Sequence, residues 1–228
     1  MATGDWNSID EYNDTFPIYN CAFLDILGYK QRVDSYFNGD FNLFGRINRA
    51  LATASTCMTL TAPLLNTQGL SVEIVSDSII LTQPDSGNGL GAFLPFACQL
   101  SSALSFEGLF IRGGIARGAH SRRVTEQGFD FLASEALIKA YLLESEQAVH
   151  PRILVDQEIL PTLLREEREL LVAEHDHHFV DFAHHVINRE ANNTANVMAE
   201  MVELQEFMNS HSSEGVKAKY QWILDYYC

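Results

Sequence analysis

Positive charge is scarce in this 228-residue chain: 15 Lys and Arg stand against 30 Asp and Glu, a formal net charge of -15. Nucleic acid and anionic membranes both require a cationic face, so neither is expected as a partner. Long apolar runs are missing as well. Nothing approaches the roughly 18 uninterrupted apolar residues of a transmembrane helix. The opening segment, MATGDWNSIDEYNDTF, carries acids where a secretory signal has a basic start and an apolar stretch, so a cytoplasmic location is expected. Cysteine is sparse: Cys21, Cys57, Cys98 and Cys228 lie far apart with no CxxC spacing, which suggests neither a zinc site nor a disulfide framework. With Gly 14, Pro 6 and 46% hydrophobic residues, disorder and collagen-like repetition are excluded.

What is present is the material of a globular α+β domain. Residues 18 to 26, IYNCAFLDI, read as a buried strand. Leu43, Ile47, Leu51, Ala54 and Met58 recur at three or four residues behind Asp40, one helical stripe ending near Pro63. Residues 70 to 83 form two β-rich runs around Ser76-Asp77-Ser78, the outline of a hairpin. Leu90 to Leu104 marks a second helix, with Pro95 tolerable only near its first turn. Phe110 to Arg117 reads as a strand, Ser134 as the cap of a helix over 135 to 148, and Arg152 to Val155 as another strand. After residue 158 the pattern turns mostly helical, with stripes at Ile187, Ala191, Met198, Met201 and Met208 and then at Val216, Tyr220, Ile223 and Tyr227. The expected organisation is a core over 1–160 and a helical extension over 161–228, packed on the core or on a second subunit.

The negative charge sets a condition on any polyphosphate substrate, because divalent cations must screen it. Paired carboxylates are therefore the feature to seek. Asp25 ends an apolar strand, where burial is costly without a cation or donors. The following Ile26-Leu27-Gly28-Tyr29 permits a tight turn whose N–H groups can cradle a phosphate at the next helix. A helix-capping aspartate is the alternative. Asp77 lies at the hairpin bend, or is an ordinary turn acid. Arg112 and Arg117 bracket Gly113-Gly114, where a ligand or another backbone can approach closely. Arg112 reads as a structural ion pair, and Arg117, nearer the strand end, as able to meet phosphate. His175, His177, His178, His184 and His185 match no established zinc spacing.

The segments AFLDILGY, VEIVSDSIIL, FIRGGIARG, ALIKAYLLES and PRILV resemble the class III nucleotidyl cyclases, and most of all the bacterial pyrimidine cyclases of the Pycsar antiphage system. The resemblance implies a ferredoxin-like antiparallel sheet with packed helices. It implies two divalent cations, Mn2+ or Mg2+, held by Asp25, the Ile26 backbone and Asp77, with Leu27, Gly28 and Tyr29 at the triphosphate. It also implies a homodimer whose site is shared between chains. Glu73 stands where purine cyclases keep a base-reading lysine, and Phe131 falls at or near their partner acid, with Asp130 adjacent. Ile138 and Leu142 occupy the places of the usual asparagine and arginine, so Lys139, on nearly the same helical face, is the candidate replacement cation. The implied activity is conversion of UTP to cyclic UMP and pyrophosphate, a second messenger in antiphage defence. CTP, or nucleotide binding without turnover, is the alternative.

Overall fold

The computed structural model describes residues 16–61, 67–182 and 213–227. Its first strand, β1 (Ile18–Ile26), alternates Ala22, Leu24 and Ile26 towards one face with Cys21, Phe23 and Asp25 towards the other. That two-residue period lets a central strand serve two helical layers. After β1 come α1 (Tyr29–Phe37) and α2 (Leu43–Thr61), then the hairpin β2 (Ser71–Val75) and β3 (Ser78–Pro84), and α3 (Phe93–Phe106). The long β4 (Ile111–Val124) continues into β5 (Asp130–Ser134), α4 (Glu135–Leu142), β6 (Ile153–Val155) and the single turn α5 (Arg165–Arg168). A second hairpin, β7 (Leu171–Glu174) and β8 (His177–Val180), precedes α6 (Glu214–Tyr227). The sheet order is β2-β3-β1-β4-β6-β8-β7, antiparallel except for β4 with β6, and β5 extends β4 as a two-stranded arm.

Helices α2 and α3 cover one face of this mixed α+β sheet. Phe93, Leu94, Leu100 and Leu104 of α3 are fully buried with Leu24, Ile79 and Leu81. Pro95 falls in the first turn of α3, where no intrahelical donor is lost. Helix α4 covers the opposite face. Its cap is Ser134, whose hydroxyl accepts from Leu137 N at 3.1 Å. The expected helix over 135 to 148 is α-helical only to Leu142, and 143–147 then widen into a π turn in which Ala148 N donates to Leu143 O at 3.0 Å. The glycines of β4 permit the contact with α4. A Cβ at Gly114 would lie 2.4 Å from Ala140 O, and one at Gly113 2.4 Å from Phe23 O. The close approach foreseen there is thus made by backbone.

Two expectations change. Residues 171–180 are strand rather than helix, and β8 pairs with β6, so the sheet continues beyond residue 160. The turn between them places His175 at φ 53, an uncommon conformation for a non-glycine residue and no sequence signal for a hairpin. The stripe from Ile187 to Met208, with His184 and His185, lies outside the described residues. Helix α6 is where its periodicity puts it, and Tyr220 and Ile223 are buried against Leu27 and Phe110. Among the described residues, no helix is long and apolar enough to cross a membrane.

Candidate functional site

Register brings the two suspected acids together. β1 pairs with β3 so that Asp25 sits opposite Ser78, and Ile26 N donates to Asp77 O at 2.8 Å across the hairpin bend. Residues 52 positions apart thus meet at one end of the sheet. The turn that follows is closed by Leu27 N donating to Phe110 O at 2.8 Å. Gly28 then adopts φ 71, the left-handed conformation that glycine accepts without strain, and opens α1 without a side-chain cap. The first N–H groups of a nine-residue helix therefore border the two aspartates.

The same register places Arg112 on β4 directly opposite Asp25. Arg112 Nε donates to Asp25 Oδ2 at 3.0 Å, and its Nη2 lies 2.7 Å from Glu144 Oε1, an ion pair without hydrogen-bond alignment. Glu144 is only 4% exposed, because the π turn carries it inward from the end of α4. Burial raises its pKa above the ordinary value; Arg112 opposes this, while Asp25 and Asp77 add to it. From α6, Lys219 joins the same field. Burial lowers its pKa most, Arg112 adds to the lowering, and Asp25 and Glu144 oppose it.

These groups fit hard divalent cations. Two half-buried carboxylates, Asp25 and Asp77, supply oxygen donors. An open, oxygen-only set suits an ion that completes its shell with water and phosphate oxygens.

Other anticipated residues lie elsewhere. Arg117 projects from β4 to the opposite face from Arg112, where Nε donates to Asn20 Oδ1 at 3.1 Å, Nη2 donates to Gly89 O at 3.2 Å, and Asp85 lies 3.2 Å away. Its guanidinium braces the loop before α3. Glu73 on β2 is ion-paired with Arg122 of the arm, which also grips Asp130 through Nε at 3.0 Å and Nη2 at 2.5 Å. Phe131 pairs with Arg123 in the arm and is 64% exposed. Lys139 faces outward, 3.1 Å from Glu158 and 3.3 Å from Glu135.

Sequence reasoning read Arg112 as an ion pair, as the structure has it, but missed its partnership with Asp25 and the approach of Glu144 and Lys219 to the same charges. Only the antiparallel register of β1 and β4, which aligns Asp25 with Arg112, could have signalled the first. The other concentration of reactive side chains, Cys21, His120 and Ser134, is structural. Burial pushes the Cys21 thiol up to about 11, leaving it protonated, and His120 Nδ1 shares a 3.0 Å hydrogen bond with the capping hydroxyl of Ser134.

No family model matches the chain, and no curated protein matches it. Among solved structures, it is similar to the guanylyl cyclase domain of the RhoGC fusion protein of Blastocladiella emersonii (14% identity, TM-score 0.44, covering 72% of this chain and 94% of that one). It is also similar to the guanylate cyclase domain of RhGC from Catenaria anguillulae, solved with GTP (11%, 0.47, 72% and 96%). A third is an adenylate cyclase from Trypanosoma brucei in its monomeric state (13%, 0.47, 73% and 90%).

Proposed function

We propose that this chain is a nucleotide cyclase, and within that class a pyrimidine cyclase that converts UTP to cyclic UMP and pyrophosphate in antiphage defence. The observation that carries the reading is the convergence of Asp25 and Asp77 beside the glycine turn that opens α1. Divalent ions held there would promote loss of the ribose 3′-hydroxyl proton and neutralise the triphosphate. The 3′-oxygen bonds to the α-phosphorus as the bond from that phosphorus to the pyrophosphate oxygen breaks, and the hydroxyl proton passes to solvent. Asp25 and Asp77 hold the cations, Arg112 supplies fixed positive charge beside them, and the turn at Leu27, Gly28 and Tyr29 presents backbone donors to phosphate.

Lys139 reaches this chemistry only from a second chain. Its helix face, with Ile138 61% and Leu142 41% exposed, is consistent with a homodimer. UTP is favoured over the purines because the position of the base-reading lysine holds Glu73. CTP remains the alternative within the pyrimidines. The test is incubation of the purified protein with each of the four nucleoside triphosphates and Mn2+ or Mg2+, with products identified by mass. Cyclic UMP is expected. Dominant cyclic AMP or GMP refutes the pyrimidine assignment, and binding without any cyclic product reduces the chain to a nucleotide-binding module.

A further inference from the structure

Helix α6 is anchored through its second half. Tyr220 packs edge-on against Phe110 with ring centroids 5.9 Å apart, and Ile223 and Leu224 close over Leu27. On a neighbouring face, Trp222 stacks on His150 at 5.5 Å, and Tyr226 donates to Asp181 Oδ1 at 2.5 Å. These contacts fix the middle of the helix against the turn at Gly28, where a Cβ would lie 3.7 Å from the Tyr220 hydroxyl. The phosphate-facing turn and the C-terminal helix are therefore one packed unit.

Lys219 precedes Tyr220 on that helix and is half-buried. Its charge bears on Glu144 and His150, and it is exposed in turn to the charges of Arg112, Asp25 and Glu144. Among the described residues it makes no ion pair, whereas Lys217, two positions earlier, is 3.0 Å from Glu214. A half-buried ammonium without a carboxylate in contact has given up part of its hydration and gains from an incoming anion. Asp25 and Glu144, the two acids whose charges act on it, are already engaged with Arg112.

We propose that Lys219 is a binding residue for the polyphosphate of the substrate, a second fixed cation beside Arg112, delivered to the Asp25–Asp77 site by the docking of α6. The assignment rests on the nucleotide reading above and adds that the site is incomplete without the C-terminal helix. Its chemistry is that of a charge-assisted contact to a non-bridging phosphate oxygen, which either lysine or arginine can make.

The probe is inorganic tripolyphosphate titrated calorimetrically into the full-length protein in Mn2+, alongside a titration of Mn2+ alone. The wild-type chain binds the probe, and Lys219→Gln weakens that binding about tenfold, the scale of one charged hydrogen bond. Lys219→Arg restores it, and the thermal midpoint of Lys219→Gln stays at or above the wild-type value because a desolvated charge has been removed. Unchanged binding in Lys219→Gln, with binding lost in Asp77→Asn, overturns the role of Lys219 and leaves the nucleotide site standing. Tighter Mn2+ binding with unchanged tripolyphosphate binding overturns it differently, making Lys219 a counter-ion of the acids. Weakening that arginine does not rescue and that tracks a lowered midpoint assigns Lys219 to stability alone, which also overturns the proposal. Absence of binding by the wild-type chain overturns this inference and the nucleotide reading together.

Discussion

Strand β4 carries two arginines ten residues apart, and each bridges two acids: Arg112 joins Asp25 to Glu144, and Arg122 joins Glu73 to Asp130. The chemistry is the same and the surroundings are not. Side-chain exposure is 25%, 20% and 4% for Arg112, Asp25 and Glu144, against 39%, 29% and 43% for Arg122, Glu73 and Asp130. The inner bridge lies within the sheet, where register, the π turn and α6 fix each charge. Water screens the outer one, on the β4–β5 arm. Exposed pairs typically contribute up to about 1 kcal/mol, whereas leaving a buried charge alone costs several. At the inner bridge charge is hard to keep and has been kept, which marks it as the place where charge has a use.

Removing a carboxylate from the candidate cation site, Asp25 of the inner bridge or Asp77 beside it, has the largest expected effect. Asp25→Ala and Asp77→Ala should each lower cyclisation by at least about 10²-fold, the scale of one lost electrostatic contact at the reacting centre. Their stabilities should differ. Asp77 has no ion pair among the described residues, so its replacement leaves the thermal midpoint near wild type. Asp25→Ala takes one acid from Arg112 and should cost about 1 kcal/mol or more. Cyclic product from either variant at wild-type rates would dissolve the distinction between the two bridges.

Next in size is the packing that holds the inner bridge together. Gly114→Ala sets a methyl 2.4 Å from Ala140 O and 2.5 Å from Leu143 Cβ, directly before the π turn. Overpacking of this kind costs about 1–3 kcal/mol, or several degrees in thermal midpoint for a chain of this size. Gly128→Ala, on the loop of the arm, meets nothing within 4 Å and is strained only by φ 83. It should cost about 1 kcal/mol. Equal losses measured by thermal denaturation would show the two regions to be equally packed.

The bridges also answer to pH with opposite signs. Glu144 has its pKa raised above the ordinary 4.5, so the folded state holds that proton more tightly than the unfolded state. Its contribution favours folding at acid pH and is lost as pH rises through the raised value. Asp130 has its pKa lowered from 3.8, chiefly by hydrogen bonding to Arg122. Its contribution is present above 3.8 and is lost as pH falls through the lowered value. Denaturation across the acid range should therefore show Glu144→Gln flattening the decline in stability above pH 4.5. Asp130→Asn should flatten only the decline on the acid side, and by less, because that carboxylate is solvated.

How legible these regions were follows from their physics. β1, the β2–β3 hairpin, α2, α3 and the start of α4 show plainly as periods of two and 3.6, and Asp25 and Asp77 are visible as acids punctuating apolar runs. Their meeting with Arg112 and Glu144 is not visible, because register and a π turn are tertiary facts with no local signal. The β7–β8 hairpin was hidden for another reason: each strand has four residues, too few for strand and helix periods to separate. Lys219 reads as a helix-surface lysine until α6 is seen against the turn at Gly28.

The smallest effect on stability, and the sharpest on specificity, is expected at the outer bridge. A free carboxylate at position 73 would accept a hydrogen bond from uracil N3–H or the cytosine 4-amino group, and would clash with the N1 acceptor of adenine. The structure adds that Glu73 is held by Arg122, which is itself held by Asp130. On the proposed pyrimidine reading, a base at the arm would meet a guanidinium fixed between two acids, a donor for a pyrimidine carbonyl as well as an acceptor. Glu73→Gln keeps the shape, removes one charge and leaves Arg122 on Asp130, so stability should fall by less than about 1 kcal/mol. Nucleotide choice should respond more. In a four-way competition, the variant should lose preference for pyrimidine over purine triphosphates, because a neutral amide can donate to adenine N1 where a carboxylate cannot. An unchanged product ratio would place base recognition away from the arm and leave the outer bridge a surface ion pair.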